Sequence, residues 1–129
     1  MNILFLCKDN TVYSQIAEIL TNHFHQPKIR AFSAGYTTGE AVNPYVQKIL
    51  EPYKDSSPFF GIKSLQDIPK ITFEYVITIN ALEFYPDVKF LRKLEWRISS
   101  NEENSLEDIE HIAQQISTKV QSFIVNIAA

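Results

Sequence analysis

The chain carries a single cysteine, Cys7, and that scarcity closes several routes. One thiol forms no internal disulfide, and it cannot pass a disulfide between cysteines of the same chain. Basic residues are not in excess. The formal net charge is −3 and there is no basic stripe of the kind that marks nucleic-acid binders, so nucleic acid is not an expected partner. Long apolar runs are also missing. The apolar opening Asn2–Cys7 is too short for a membrane span or a secretory leader, which leaves a cytoplasmic protein without membrane contact as the expectation. His23 and His25 lie two apart on an expected helix and point to different faces, and His111 falls on the polar side of another. With one cysteine and scattered histidines, no metal and no cofactor is expected. At 129 residues the length suits one domain, residues 1–129, with a real core.

Hydrophobic patterning gives the organisation. Four strands are expected, at Asn2–Cys7, Ile29–Ser33, Tyr75–Ile79 and around Leu94–Trp96. The first and third are near-continuous apolar runs, as in parallel strands covered on both faces. Ile16, Ala17, Ile19, Leu20 and Phe24 recur at helical spacing over Val12–His25, before Pro27. A second helix is expected over Pro44–Tyr53, with Val46, Ile49 and Leu50 inward. Ser64–Ile68 reads as a short helical turn, and so does Ala81–Tyr85, interrupted by Pro86. The last helix is capped by Asn104, with Glu107, Asp108 and Glu110 in its first turns. Leu106, Ile109, Ile112, Ile116, Val120 and Ile124 form its apolar stripe. The β-α alternation predicts a three-layer, doubly wound α/β domain with a four-stranded parallel sheet, binding ligands beyond the carboxyl ends of its strands.

Cys7 stands at such an end. A lone cysteine there is ordinarily an inert small hydrophobe. Here a polar loop, Lys8-Asp9-Asn10-Thr11-Val12-Tyr13, and a helix start at Ser14 follow at once. Backbone N–H groups at a helix start gather an anion and favour a thiolate beside them.

From Cys7 to Ser14 the spacing resembles the low-molecular-weight protein tyrosine phosphatase and arsenate reductase family, whose loop is Cys, five residues, Arg, Ser after the first strand. Gln15-Ile16-Ala17-Glu18 resembles that family's first helix, and Phe32-Ser33-Ala34-Gly35 its Ser-Ala-Gly segment. Val42-Asn43-Pro44, Lys63-Ser64-Leu65, the strand Tyr75–Ile79 and Trp96 follow in the family's order. The resemblance implies the same fold, Cys7 as nucleophile, Asn10 as the residue that shapes the loop and Ser14 as the hydroxyl supporting the thiolate. It further implies Ser33 as a brace and residues 8–13 as the anion cradle. A phosphate-like oxyanion or phosphorylated ligand is the implied partner.

The pattern breaks at three places. Tyr13 stands where the family has the arginine that grips two oxyanion oxygens. Losing two charge-assisted hydrogen bonds costs roughly 3–6 kcal/mol, much of it in the transition state. Ser100 and Asn101 stand where the family has an Asp-Pro pair, whose aspartate protonates the leaving group. Such assistance supplies about 10²–10⁴-fold. Glu102, Glu103 and Arg97 are the available substitutes, although an acidic pair beside a helix start is commonly a solvated cap. Asp9 adds a carboxylate that repels an anion and raises the Cys7 pKa, with Lys8 beside it as an offset. A disulfide shuttle through two further cysteines is excluded unless an external thiol resolves the intermediate.

Other constellations are weaker. A flavin loop needs a glycine that is absent beside Thr11 and Ser14, and a phosphoacceptor site needs an aspartate where Asn80 stands. Phe59 and Phe60 near Tyr53, with Phe84 and Tyr85, are either a protein-docking patch or loop core. Two readings remain open. One is a divergent family member with little or no conventional phosphatase activity, serving as a binding or regulatory module. The other is an active cysteine-dependent phosphatase or arsenate reductase with an unconventional cation and acid.

Overall fold

The structure is a computed structural model and describes residues 1–37, 39–57, 61–81, 87–100 and 105–128. Its elements are β1 (Asn2–Cys7), α1 (Tyr13–His25), β2 (Arg30–Gly35), α2 (Pro44–Leu50), β3 (Phe73–Ile79), β4 (Phe90–Trp96) and α3 (Leu106–Ala128). All strand pairings are parallel, in the order β2-β1-β3-β4. The α/β expectation holds, and β1 holds to the residue.

Parallel pairing on both sides of β1 explains its unbroken apolar sequence. Alternate side chains serve opposite layers. Ile3 and Phe5 join Ile77, Ile79 and Trp96 beneath α1, α2 and α3, whose Ile16, Ile19, Val46, Ile109, Ile112 and Ile116 complete that core. Leu4 and Leu6 face the other way with Phe32, Ala34, Phe73 and Val76. Among the described residues this second face is covered by a 3-10 turn at Leu65–Asp67 and its flanks, through Leu65, Ile68 and Ile71. One layer is thick and helical, the other thin.

Several boundaries differ from expectation for identifiable reasons. α2 stops at Leu50 and continues as a 3-10 segment, Glu51–Ser56. Pro52 has no N–H to donate back along an α-helix. β4 begins at Phe90, because pairing with β3 starts at Phe73↔Phe90 although three of its seven residues are exposed. Phe24 shares the helical spacing of the α1 core residues yet is 57% exposed, its ring meeting those of His23 and Tyr53. At the start of α3 the Ser105 hydroxyl accepts the Asp108 N–H at 3.1 Å. The expected cap Asn104, most of the turn at 81–85, and Phe59, Phe60, Phe84, Tyr85, Asn101, Glu102 and Glu103 lie outside the described residues.

The register ends β1 and β2 together, with Cys7 opposite Gly35, and Leu6 sits opposite Thr78 of β3. The Cys7 loop therefore opens at the carboxyl edge of the sheet.

Candidate anion-binding loop

Residues 7–14 turn from β1 into α1 around Asn10, a non-glycine residue at φ 62°. Asparagine tolerates this left-handed conformation better than most side chains. The Asn10 amide then binds in four directions. Its Nδ2 donates to Ser14 Oγ at 2.7 Å and to Ser33 Oγ at 3.1 Å. Its Oδ1 accepts from Gln15 Nε2 and from the Lys63 backbone N–H, both at 2.8 Å. Asn10, Ser14, Gln15 and Ser33 are fully buried.

Cys7 Sγ lies 2.9 Å from Ser14 Oγ. That oxygen also accepts from Asn10, and either the Ser14 hydroxyl or the Cys7 thiol can donate across the contact. The backbone N–H groups of Asn10 and Ser14 are also directed at Sγ. Ser14 is the second residue of α1, and the helix has no side-chain cap at its start. One of its orphan donors is thus turned to the thiol.

These donors do not win. Burial is the largest influence and pushes the Cys7 thiol above its ordinary value. The Ser14 hydroxyl and the two N–H groups pull it down only in part, and Asp9 adds to the rise. At 1% exposure the sulfur has little water to solvate a charge. The thiolate expected from the helix start is therefore not favoured by the loop's surroundings.

The loop carbonyls are clasped from outside. Lys8 O accepts from Thr37 N at 2.8 Å and Thr37 Oγ1 at 3.0 Å, Asp9 O from Gly39 N at 3.0 Å, and Thr11 O from Asn43 N at 3.1 Å. Asn10 O accepts from Gln15 Nε2 at 3.0 Å. Gly35 is required by this clasp, since a Cβ there would sit 2.5 Å from Thr37 O and 2.8 Å from Asp9 C. The Asp9 carboxylate is turned along the loop, accepting from Thr11 N at 3.2 Å and Thr11 Oγ1 at 2.8 Å. Lys8 is exposed, Val12 is buried in the helical core, and the half-buried Tyr13 ring packs against that core.

Beneath Ser33 lies a pair to which the sequence reading gave no role. Ser33 Oγ donates to Glu18 Oε1 at 2.9 Å, and Lys63 Nζ stands 3.6 Å from the same oxygen. Burial pushes Glu18 up and Lys63 down, and each partner's charge offsets this in part. A signal existed. Ser14, Glu18 and Asn22 recur every four residues as a buried polar stripe on α1.

The segment after β4 is held apart from this network. Asn80, at φ 54°, exchanges hydrogen bonds with Ile98 N and O at 2.9 and 3.0 Å. Gln115 does the same for Ser99, at 3.0 and 2.8 Å. Ser100 Oγ donates to the buried Asp108 at 3.0 Å, and Arg97 is exposed. His23, His25 and His111 come together nowhere, and among the described residues no cluster of His, Cys, Asp or Glu is arranged to hold a metal. No helix among them is long and apolar enough to cross a membrane.

The sequence model of the family described as low molecular weight phosphotyrosine protein phosphatase matches residues 2–83. A search of curated protein sequences found no match. Among solved structures, a thioredoxin-dependent arsenate reductase of Corynebacterium glutamicum is similar at 22% identity and TM-score 0.70. The alignment covers 98% of this chain and 61% of that one. An arsenate reductase in the phosphate binding state aligns at 21% identity and TM-score 0.78, over 98% of each chain. A low molecular weight phosphotyrosine phosphatase of Vibrio cholerae aligns at 16% identity and TM-score 0.74, over 99% of this chain and 97% of that one.

Proposed function

Because the chain belongs to the low molecular weight phosphotyrosine protein phosphatase family, we propose that it is an oxyanion-binding member with little or no conventional phosphatase activity, acting as a binding or regulatory module. Its ligand is a phosphate-like oxyanion or a phosphorylated group, with a protein as the bearer of that group. The observation that carries this reading is Tyr13 at the position six residues after Cys7, in a loop whose Asn10, Ser14 and Ser33 support is complete. Burial and Asp9 push the Cys7 thiol up as well.

In the family reaction the cysteine sulfur attacks phosphorus as a thiolate, and the bond to the leaving oxygen breaks while an acid protonates that oxygen. Water then cleaves the S–P bond, releasing phosphate. A thiol held protonated attacks slowly. Tyr13 offers at most one neutral O–H where an arginine offers a charged fork. Ser100 is no proton donor at neutral pH, and its hydroxyl is engaged by Asp108. The backbone donors and the Asn10 support remain, and they suit holding an oxyanion better than cleaving an ester.

The second reading, a working cysteine-dependent phosphatase or arsenate reductase, is favoured by the intact Asn10–Ser14–Ser33 support and by the relatives' names. Hydrolysis of para-nitrophenyl phosphate, compared between wild type and Cys7→Ser from mildly acidic to neutral pH, separates the two. The binding reading expects no Cys7-dependent turnover, together with slowed alkylation of Cys7 when inorganic phosphate is added. Turnover that disappears in Cys7→Ser overturns it in favour of the enzyme. Alkylation indifferent to phosphate overturns both.

A further inference from the structure

A cavity of about 540 Å³ opens beside the free edge of β2, away from the mouth of the Cys7 loop. Its volume lies within the range of small-molecule sites. Phe32, Ile68, Pro69, Pro27 and Ala31 supply apolar walls. The edge of β2 is already closed to another strand there. Asn22 donates to Ala31 O at 3.0 Å and accepts from Ala31 N at 2.7 Å, so the space is left to a compact ligand instead of a pairing peptide.

Acidic groups outnumber basic ones in the wall, three to two. Glu18 lines the cavity at 2% exposure; Ser33 donates to its Oε1, Lys63 stands 3.6 Å from the same oxygen, and the Ser57 hydroxyl also acts on the carboxyl. Asp55 and Asp67 stand at the rim, and hydrogen bonds from Ser64 keep Asp67 firmly ionised. The carboxyl ends of α1, at Gln26, and of the 3-10 segment, at Ser57, also open here, which adds negative potential. Of the cations in the wall, Lys63 is drawn to Glu18 and Gly61 O, and Arg30 lies over the Phe32 ring at 5.5 Å.

We infer that this cavity is a second binding site, for a small organic cation: an ammonium group on an apolar ring, the charge toward Glu18 and the ring against Phe32, Ile68 and Pro69. The site is independent of whether Cys7 turns over a phosphate ester.

Benzylamine tests this against benzyl alcohol, which has nearly the same shape without the charge. Backbone amide resonances of the whole chain are followed during titration with each probe. Benzylamine is expected to shift Ala31, Phe32 and Ile68 saturably, and benzyl alcohol to bind at least about tenfold more weakly. Glu18→Gln should weaken benzylamine by roughly tenfold and leave benzyl alcohol unchanged. Equal affinity for the two probes, shifts centred elsewhere, or an unaltered benzylamine affinity in folded Glu18→Gln each overturns the inference. Should Glu18→Gln fail to fold, Pro69→Trp fills the cavity from an exposed rim position. Retained benzylamine binding in that variant is equally fatal, and its loss, with the remaining spectrum unchanged, supports the site. Cys7→Ser should bind benzylamine as the wild type does.

Discussion

The underside of the Cys7–Ser14 loop and its open side differ in how completely their polar groups are met. Below, Asn10, Ser14, Ser33 and Glu18 are buried in a continuous hydrogen-bonded set, and the loop carbonyls are held by residues 37–43. Above, a tyrosine stands in place of a fork-shaped cation, and the segment carrying Ser100 is fastened to α3. The lesson is that the cradle's shape is held by buried polar groups on which burial punishes every broken bond, whereas the position that departs from the family pattern, Tyr13, lies outside that hydrogen-bonded set.

The sharpest way to break this contrast is to remove its common donor. Asn10→Ala removes one hydrogen-bond partner from each of Ser14, Ser33, Gln15 and the Lys63 N–H at once. Calorimetry should show a loss of about 3–4 kcal/mol. Asn10→Gly keeps the left-handed backbone and should lose only slightly less, which would assign the cost to hydrogen bonds and not to strain.

Lys63→Met comes next. It leaves Glu18 buried without its cation and should cost about 3 kcal/mol, and Glu18→Gln in the same chain should recover part of that. A double variant no better than the single would mean that the pair is not coupled. Tyr13→Arg sharpens the comparison from the other side. With the cradle preserved, phosphate or arsenate affinity by calorimetric titration should rise about ten- to a hundredfold. Unchanged affinity would show that the loop is not disposed around an oxyanion.

The smallest effects concern the thiol. Asp9→Asn removes a charge that raises the Cys7 pKa, so thiolate ultraviolet absorbance should appear at lower pH. The stability linkage runs in a definite direction. A folded thiol that titrates above its unfolded value gives stability that is complete below the ordinary thiol pKa and is lost as pH rises through the folded value. Cys7→Ser should flatten that alkaline decline, and an identical decline in the variant would assign it elsewhere.

Much of this was legible in the residues. β1 could be placed because a strand covered on both faces has to be apolar throughout. Cys7, Asn10, Ser14 and Ser33 could be grouped because the loop resembles a known family. The pairing of Glu18 with Lys63 was not legible, since it joins residues 45 apart whose charges suggest solvent. The protonation preference of Cys7 was missed for a related reason. Spacing reveals the N–H groups that lower a thiol's pKa, but burial, which raises it, depends on everything packed around the loop. Phe24 misled because helical spacing gives direction without saying where neighbouring elements end.

Gly35 has a wider consequence. Its hydrogen is the only side chain that the crossing of residues 9 and 37 admits, whatever chemistry the loop performs. Any larger side chain ending the second strand would push residues 9 and 37 apart and so reshape the loop's floor, with or without a ligand in it.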